Sequence, residues 1–310
     1  MAMGFSLRKL KRIFLGMSGT DGFFIKLLIY AVLVGIGFVF LYPLLYMLAT
    51  SFKDLEDLLN ASVHWIPTKY YSGNYERALV VLNFWQMLLQ TLFVTLIPAG
   101  VQTLVASFIG YGFARYEFKG KRVLLILVLT TFVIPPPVLI IPRYILFNSL
   151  GILDSIAAYV LPAVLGQGLN SAIFILIFYQ TFKTLPKALE EAAQLDGAGH
   201  FKIFFKIAIP MAASAYLVTF LFSFVWYWNE TYLAAIYFGN NLTTLPLQLQ
   251  RFVDSYNRLF VTQGGIAETN LNEGIEMAGT LLTIIPLLVV YFIMQRWFVE
   301  GVDRTGITGE

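Results

Sequence analysis

The sequence predicts an all-α integral membrane protein with six transmembrane helices and both termini in the cytoplasm, and three observations carry that prediction. Hydrophobic residues make up 58% of the 310-residue chain and charged residues only 13%, a balance outside the soluble range. Apolar stretches long enough to cross a hydrocarbon core of about 30 Å recur six times along the chain. Basic residues gather in alternate connections: with the N-terminus inside, fifteen of the 21 fall on the cytoplasmic side, as the positive-inside rule requires.

The elements follow in order. The opening "MAMGFSLRKLKRIF" resembles the basic region of a secretory signal. The apolar segment behind it, 23–50, exceeds the roughly 7 to 15 residues of a signal core and lacks a small-residue cleavage pattern, so it reads as a retained first helix. Arg8, Lys9, Lys11 and Arg12 suit an interfacial segment over 5–15. The second and third spans cover 84–113 and 123–147. The third holds "IPPPVLIIP", residues 134–142, whose four prolines remove backbone donors and bend or break the helix. Either a packing kink or a pathway-lining hinge follows from that break. The remaining spans cover 156–182, 207–238 and 277–298. The resulting plan is a basic segment at 1–22, a six-helix domain at 23–299 and a cytoplasmic tail at 300–310. Outer connections lie at 51–83, 143–155 and 239–276, and the second cytoplasmic loop at 183–209.

Several chemistries are disfavoured. The chain has no cysteine and two histidines far apart, His64 and His200, which excludes disulfides, thiol nucleophiles and thiolate metal sites. No glycine-rich phosphate loop is present, so the chain itself is not expected to bind ATP. Asp54, Glu56 and Asp57 lack a rigid ligand set and read as a solvated outer face or docking surface.

One polar stretch interrupts the apolar background: "EEAAQLDGAG", residues 190–199, in the second cytoplasmic loop. "TLPKALEEAAQL", from Thr184, reads as a short helix with Thr184 as cap and Pro186 in its first turn. Asp196 and Gly197 end it, and "HFKIFFKIAI" from His200 forms a second amphipathic segment. Such a pair makes a projecting knob, with Ala192 and Ala193 as a smooth face and Glu190 and Glu191 able to meet basic groups on a partner. A solvated loop helix fits the same residues equally well.

The stretch "EAAQLDGAGHFKIFFKIAIP", residues 191–210, resembles the EAA loop of binding-protein-dependent ABC importer permeases: Glu-Ala-Ala, three residues, Gly, nine residues, Ile, one residue, Leu, Pro. Glu191, Ala192, Ala193, Gly197, Ile207 and Pro210 match, and Ile209 stands where leucine is usual. "SFK" at 51–53, "WIP" at 65–67, "NY" at 74–75 and "GYGFARYEFKGKR" at 110–122 are similar to segments of the carbohydrate-importer permeases. So are "IPRYILFNSLGILDS" at 141–155, "WNE" at 228–230, "TLPLQL" at 244–249 and "QRWFVEGVDRTGITGE" at the end, although the tail after Gly301 departs from the common ending. The length resembles the maltose-type second permease subunit. The resemblance implies a type I importer permease in a bacterial or archaeal cytoplasmic membrane and no enzymatic activity of its own. Its implied partners are a second permease, two ATP-binding subunits that hold ATP and magnesium, and an external solute-binding protein delivering a carbohydrate. It also implies that Glu190, Glu191, Ala192, Ala193, Asp196 and Gly197 form the coupling helix on the ATPase.

Two polar groups are candidates for the transport path. "WYWNETY", residues 226–232, is placed near the outer end of the fifth helix, with Trp226, Asn229 and Glu230 on one face and Trp228 and Tyr232 on another. Aromatic faces stack on sugar rings while Asn and Glu bond their hydroxyls; an interfacial aromatic belt with a snorkelling carboxylate is the equal alternative. Gln167 and Asn170, with Ser171, form the second group in the fourth helix, either bonding between helices or facing a cavity. A secondary transporter or channel would also display Glu230 and a proline-broken helix. An ABC permease for a non-sugar solute is a further alternative, and a membrane-embedded hydrolase lacks a supporting motif.

Overall fold

The computed structural model describes residues 16–17, 20–239, 241–261 and 271–306. Apart from a two-residue antiparallel pairing of Gly16–Met17 with Thr20–Asp21, the secondary structure of these residues is helical. The segments 5–15, 262–270 and 307–310, on which the expected interfacial segment, part of the expected last outer connection and the end of the tail fall, lie outside the described residues. Two compact units are formed, Met1–Tyr75 with Asn272–Leu281, and Glu76–Leu271 with Leu282–Glu310.

In the first unit, α1 (Phe23–Ser51) is apolar on all faces, as a helix immersed in lipid is. A polar clasp closes its end, where a helix leaves carbonyls without intrahelical donors. Asn74 Nδ2 donates to the carbonyls of Ser51 and Lys53 at 2.9 and 2.7 Å. The Ser51 hydroxyl donates to the Leu48 carbonyl and lies 2.8 Å from the Tyr75 hydroxyl, and Lys53 Nζ donates to the carbonyls of Val63 and His64 at 2.9 and 2.8 Å. A Cβ at Gly274 would lie 2.6 Å from Asn74 Nδ2, so only glycine passes the clasp without displacing it. The connection that follows α1, expected on the outer side, is not all loop. It contains α2 (Leu55–Leu59), capped by Asp54, which accepts from the Asp57 N–H, and runs into α3 (Gly73–Leu82). Asp57 in turn accepts from the Thr68 N–H and hydroxyl, both at 2.7 Å. Asp54 and Asp57 therefore serve local structure rather than a solvated face, and no group of three potential metal ligands occurs among the described residues.

The second unit is organised around α4 (Phe84–Arg115). It is followed by α5 (Lys121–Val133), α6 (Pro136–Ser149), α7 (Ala157–Val164), α8 (Ser171–Thr184) and α9 (Lys187–Leu195). Then come α10 (His200–Ile203), a π-turn (Phe204–Ala208), α11 (Ile209–Met211), α12 (Ala213–Asn229) and α13 (Tyr232–Tyr237). The last elements are α14 (Leu245–Gln250), α15 (Phe252–Tyr256) with a second π-turn (Asn257–Val261), and α16 (Glu273–Gly306), of which the part up to Leu281 belongs to the first unit. Phe174, Ile175, Phe178 and Phe182 of α8 pack on Ala106, Tyr111 and Phe113 of α4, and Phe204, Ala208, Ala212 and Ala215 complete this core. Gly110 lets the two helices approach: a Cβ there would stand 2.6 Å from Phe178 Cβ and 2.8 Å from the Tyr179 nitrogen.

The expected spans are realised in different ways. Phe23–Ser51, Phe84–Arg115 and Glu273–Arg296 are each long and apolar enough to cross a membrane as one helix. The third expected span is α5 and α6, bent by 100° at the proline run, and the fifth holds a 79° bend between His200–Met211 and Ala213–Asn229. If each bent pair is one crossing, the total among the described residues is five. The fourth expected span is not one helix but α7 and α8, because Gly166 (φ 70°) and Asn170 (φ 52°) adopt left-handed backbone between them. Its freed backbone is met by side chains: Gln102 Nε2 donates to the Leu169 carbonyl and the Tyr227 hydroxyl accepts from the Leu169 N–H at 3.4 Å, the hydroxyl itself donating to Gln102 Oε1 at 2.7 Å. A side chain at Gly168 would collide with Gln102 and Tyr227. In the fifth segment α12 stops at Asn229, where Glu230 turns to extended backbone.

Candidate functional site: an exposed helix anchored by one buried carboxylate

Helix α9 carries the polar stretch that interrupts the apolar sequence. Ala, Leu and Glu favour helix, Pro186 precedes its first turn as N-cap, and the chain leaves it at Asp196 and Gly197. Gly197 has φ 77°, a conformation in which an L side chain is strained. The start differs from the expectation. Thr184 is the last residue of α8, its hydroxyl donating to the Thr181 carbonyl at 2.8 Å rather than capping α9. Leu185 and Pro186 are extended and form the corner between the two helices.

The two adjacent carboxylates separate. Glu191 is exposed together with Ala192, Gln194, Leu195, Asp196 and Gly197, while Ala193 is half-buried. Leu195 is 90% exposed, far from what an apolar side chain with intramolecular contacts would show. Glu190 instead turns inward and is the buried residue of α9. Its Oε1 accepts from Arg115 Nε at 2.8 Å and its Oε2 from the Tyr111 hydroxyl at 3.3 Å. Arg115 Nη2 also donates to the Leu185 carbonyl at 3.0 Å, and the arginine side chain is only 4% exposed. Burial, and then the Glu190 carboxylate, pushes the phenol of nearby Tyr116 above its ordinary value. The Tyr116 ring also stands edge-on to His200, centroids 5.7 Å apart. Sequence reasoning did not single out Tyr111 and Arg115 as site residues; their signal is a tyrosine and an arginine one turn apart at the end of a long apolar helix.

The polar residues expected along the path fall in two places. Gln167 and Asn170 are exposed and sit in the break between α7 and α8, not on a helix, whereas Ser171 opens α8 and is buried. Trp228 is 1% exposed, packed on Phe224, and Trp226 is half-buried against Phe174, ring centroids 5.0 Å apart. Glu230 accepts from the Leu233 N–H at 2.9 Å, which starts α13. Asn229 and Tyr232 are exposed, Asn229 donating to the Val225 carbonyl. Gln167 also borders a cavity of about 20 Å³ lined by Arg143, Tyr159, Tyr227 and Tyr237, room for about one water.

Apolar helices broken where buried side chains satisfy the freed backbone are the architecture of a membrane transport component. The chain belongs to the family of binding-protein-dependent transport system inner membrane components, whose pattern matches residues 102–304; it is a multi-pass transport permease rather than an enzyme. The polygalacturonan/rhamnogalacturonan transport system permease protein YtcP of Bacillus subtilis is 30% identical over 287 residues, 91% of this chain and 98% of that protein. The osmoprotective compounds uptake permease protein GgtD of Synechocystis is 30% identical over 90% of this chain and 91% of its own. The lactose transport system permease protein LacG of Rhizobium radiobacter is 28% identical over 88% and 93%. A chain in the crystal structure of a bacterial ABC transporter importing the acidic polysaccharide alginate has the same fold, with TM-score 0.73, 24% identity and coverage of 87% of this chain and 95% of that one.

Proposed function

We propose that the chain is one permease subunit of an ATP-driven, solute-binding-protein-dependent importer of an oligosaccharide or related carbohydrate. It forms half of the path with a second, homologous permease, and two separate ATPase subunits bind ATP and magnesium and drive it. Six crossings, counting α7 with α8 as one, leave both termini in the cytoplasm of a bacterial or archaeal membrane and put α9 on the ATPase side. The observation that carries this reading is α9 itself: a short helix whose outer face, Glu191, Ala192, Leu195, Asp196 and Gly197, is exposed while one residue faces in. Exposed leucine beside carboxylate suits a groove on a partner with apolar floor and basic rim.

For the path, Gln167, Asn170, Asn229 and Tyr232 are the exposed polar and aromatic side chains that can meet sugar hydroxyls and ring faces. Trp226, Trp228 and Glu230 stand behind them, fixing the end of α12 and the start of α13. The likeness to the permease named for osmoprotective compounds supports a second reading, in which the solute is a small osmoprotectant.

The test is co-purification with the partner subunits and measurement of ATP hydrolysis stimulated by the binding protein. Glu191→Lys and Leu195→Arg, both at exposed side chains, are expected to lower stimulation by more than about tenfold for a disrupted docking contact, while leaving the permease folded. Unchanged stimulation in both variants would remove the docking role of α9. Calorimetric titration of the cognate binding protein with galacturonate oligomers, arabinooligosaccharides, lactose and an osmoprotectant decides the solute class.

A further inference from the structure

The geometry points to Arg115 as the positioning residue through which displacement of α9 reaches α4, by way of its ion pair with Glu190. The inference rests on α9 being the docking helix. Glu190 is the buried side chain of this nine-residue helix, and Ala193 adds half-buried contact. A helix so short has little stability of its own, and its apolar side chains Ala188, Leu189, Ala192 and Leu195 are exposed instead of being seated on the bundle. What fixes it is one guanidinium with two acceptors on either side of a corner: the Leu185 carbonyl, where α8 ends, and the Glu190 carboxylate, in the first turn of α9. The Tyr111 hydroxyl, one turn back on α4, reaches the other carboxylate oxygen.

Two properties make this arrangement a rigid link. Apolar contacts are non-directional and tolerate sliding, whereas a planar guanidinium bonded to two fixed acceptors holds distance and angle together. The link also ends on the helix around which α7, α8 and α12 pack, so a rotation delivered to α9 is imposed on the bundle rather than absorbed in the 183–209 loop. Lysine, a point charge on a flexible stem, cannot hold both acceptors in that geometry. Arg115 Nη1 is buried without a partner, so the guanidinium is not held equally on all sides and its orientation is set by the two acceptors.

The natural chain has no cysteine, so spin labels at Gln194→Cys on α9 and Leu104→Cys on α4 report their separation in the full complex with its ATPase subunits. The expected result is a single narrow distance that is the same with and without ATP. Arg115→Gln and Arg115→Lys are expected to broaden the distribution and make it shift on ATP binding, with transport-coupled stimulation reduced about tenfold, within the range of a site-to-site coupling. Should those variants fold poorly, the paired exchange Arg115→Met with Glu190→Leu replaces the ion pair by apolar side chains of similar size, a change that preserves stability in other buried pairs. The same broadening there supports the link. An ATP-dependent distance in the unmutated complex, or a variant distribution identical to it in both states, overturns it. A label at 194 that is never immobilised by the ATPase, with or without Arg115, instead removes the docking reading, and this inference with it.

Discussion

Asp57 and Glu190, two carboxylates that composition assigns to wet connections, are both turned into the protein. Asp57 holds the connection after α1 by accepting from the Thr68 hydroxyl and N–H, and the Thr68 hydroxyl is the main reason its carboxyl sits below the ordinary range. A folded-state value lower than the unfolded one, about 3.9, stabilises at higher pH and ceases to do so as pH falls through it. Protection of residues 55–70 against hydrogen exchange, taken relative to the intrinsic rate at each pH, is therefore expected to be high at pH 5 and to fall below about pH 4, a change that Asp57→Asn should make indistinct by loosening the segment at both values. Protection of these residues that does not change with pH in the natural chain would show that the Thr68 contact does not hold this connection. Neither inward turn was legible in sequence, because charge is ordinarily solvated and the partners lie far off, Thr68 eleven positions and Arg115 seventy-five positions away. Gly197 was legible because its requirement is local: a helix ends and the next residues need left-handed backbone.

At the scale of elements, apolar runs located α1 and α4 well because each is one uninterrupted helix. The proline run announced the break between α5 and α6. The break between α7 and α8 escaped, since a count of apolar residues passes over Gly166 to Asn170, and the groups that stabilise it, Gln102 and Tyr227, come from other helices. Close approach of α4 to α8 depends on Gly110 in the same non-local way. Gly110→Val would drive carbon into the Phe178 side chain and the α8 backbone, which yields less readily than a flexible chain end. Overpacking of this kind costs about 1–3 kcal/mol, so the variant should melt measurably earlier in detergent, and the Gly110→Ala variant by less. Equal melting of Gly110→Val and the natural chain would mean that α8 can withdraw freely from α4.

For the molecule as a whole, the family and fold were legible because the loop motif keeps its spacing through a region the family pattern also matches, 102–304. Orientation is a separate matter and has a direct measurement. Single cysteines at Tyr70 and Gln194, both exposed, should react differently with a membrane-impermeant maleimide: Tyr70→Cys in intact cells, Gln194→Cys only after permeabilisation. The reverse pattern would invert the proposed topology. The anchoring of α9 by a single inward side chain has a consequence for descent as well as for mechanism. Glu191, Ala192, Gln194 and Leu195 carry almost no duty in the permease's own packing, so under the proposed docking they are free to drift in step with the ATPase, while Glu190, Arg115 and the left-handed Gly197 are not. On the proposed docking, one such bundle can change its motor by altering a handful of surface letters, leaving the rest of its interior text intact.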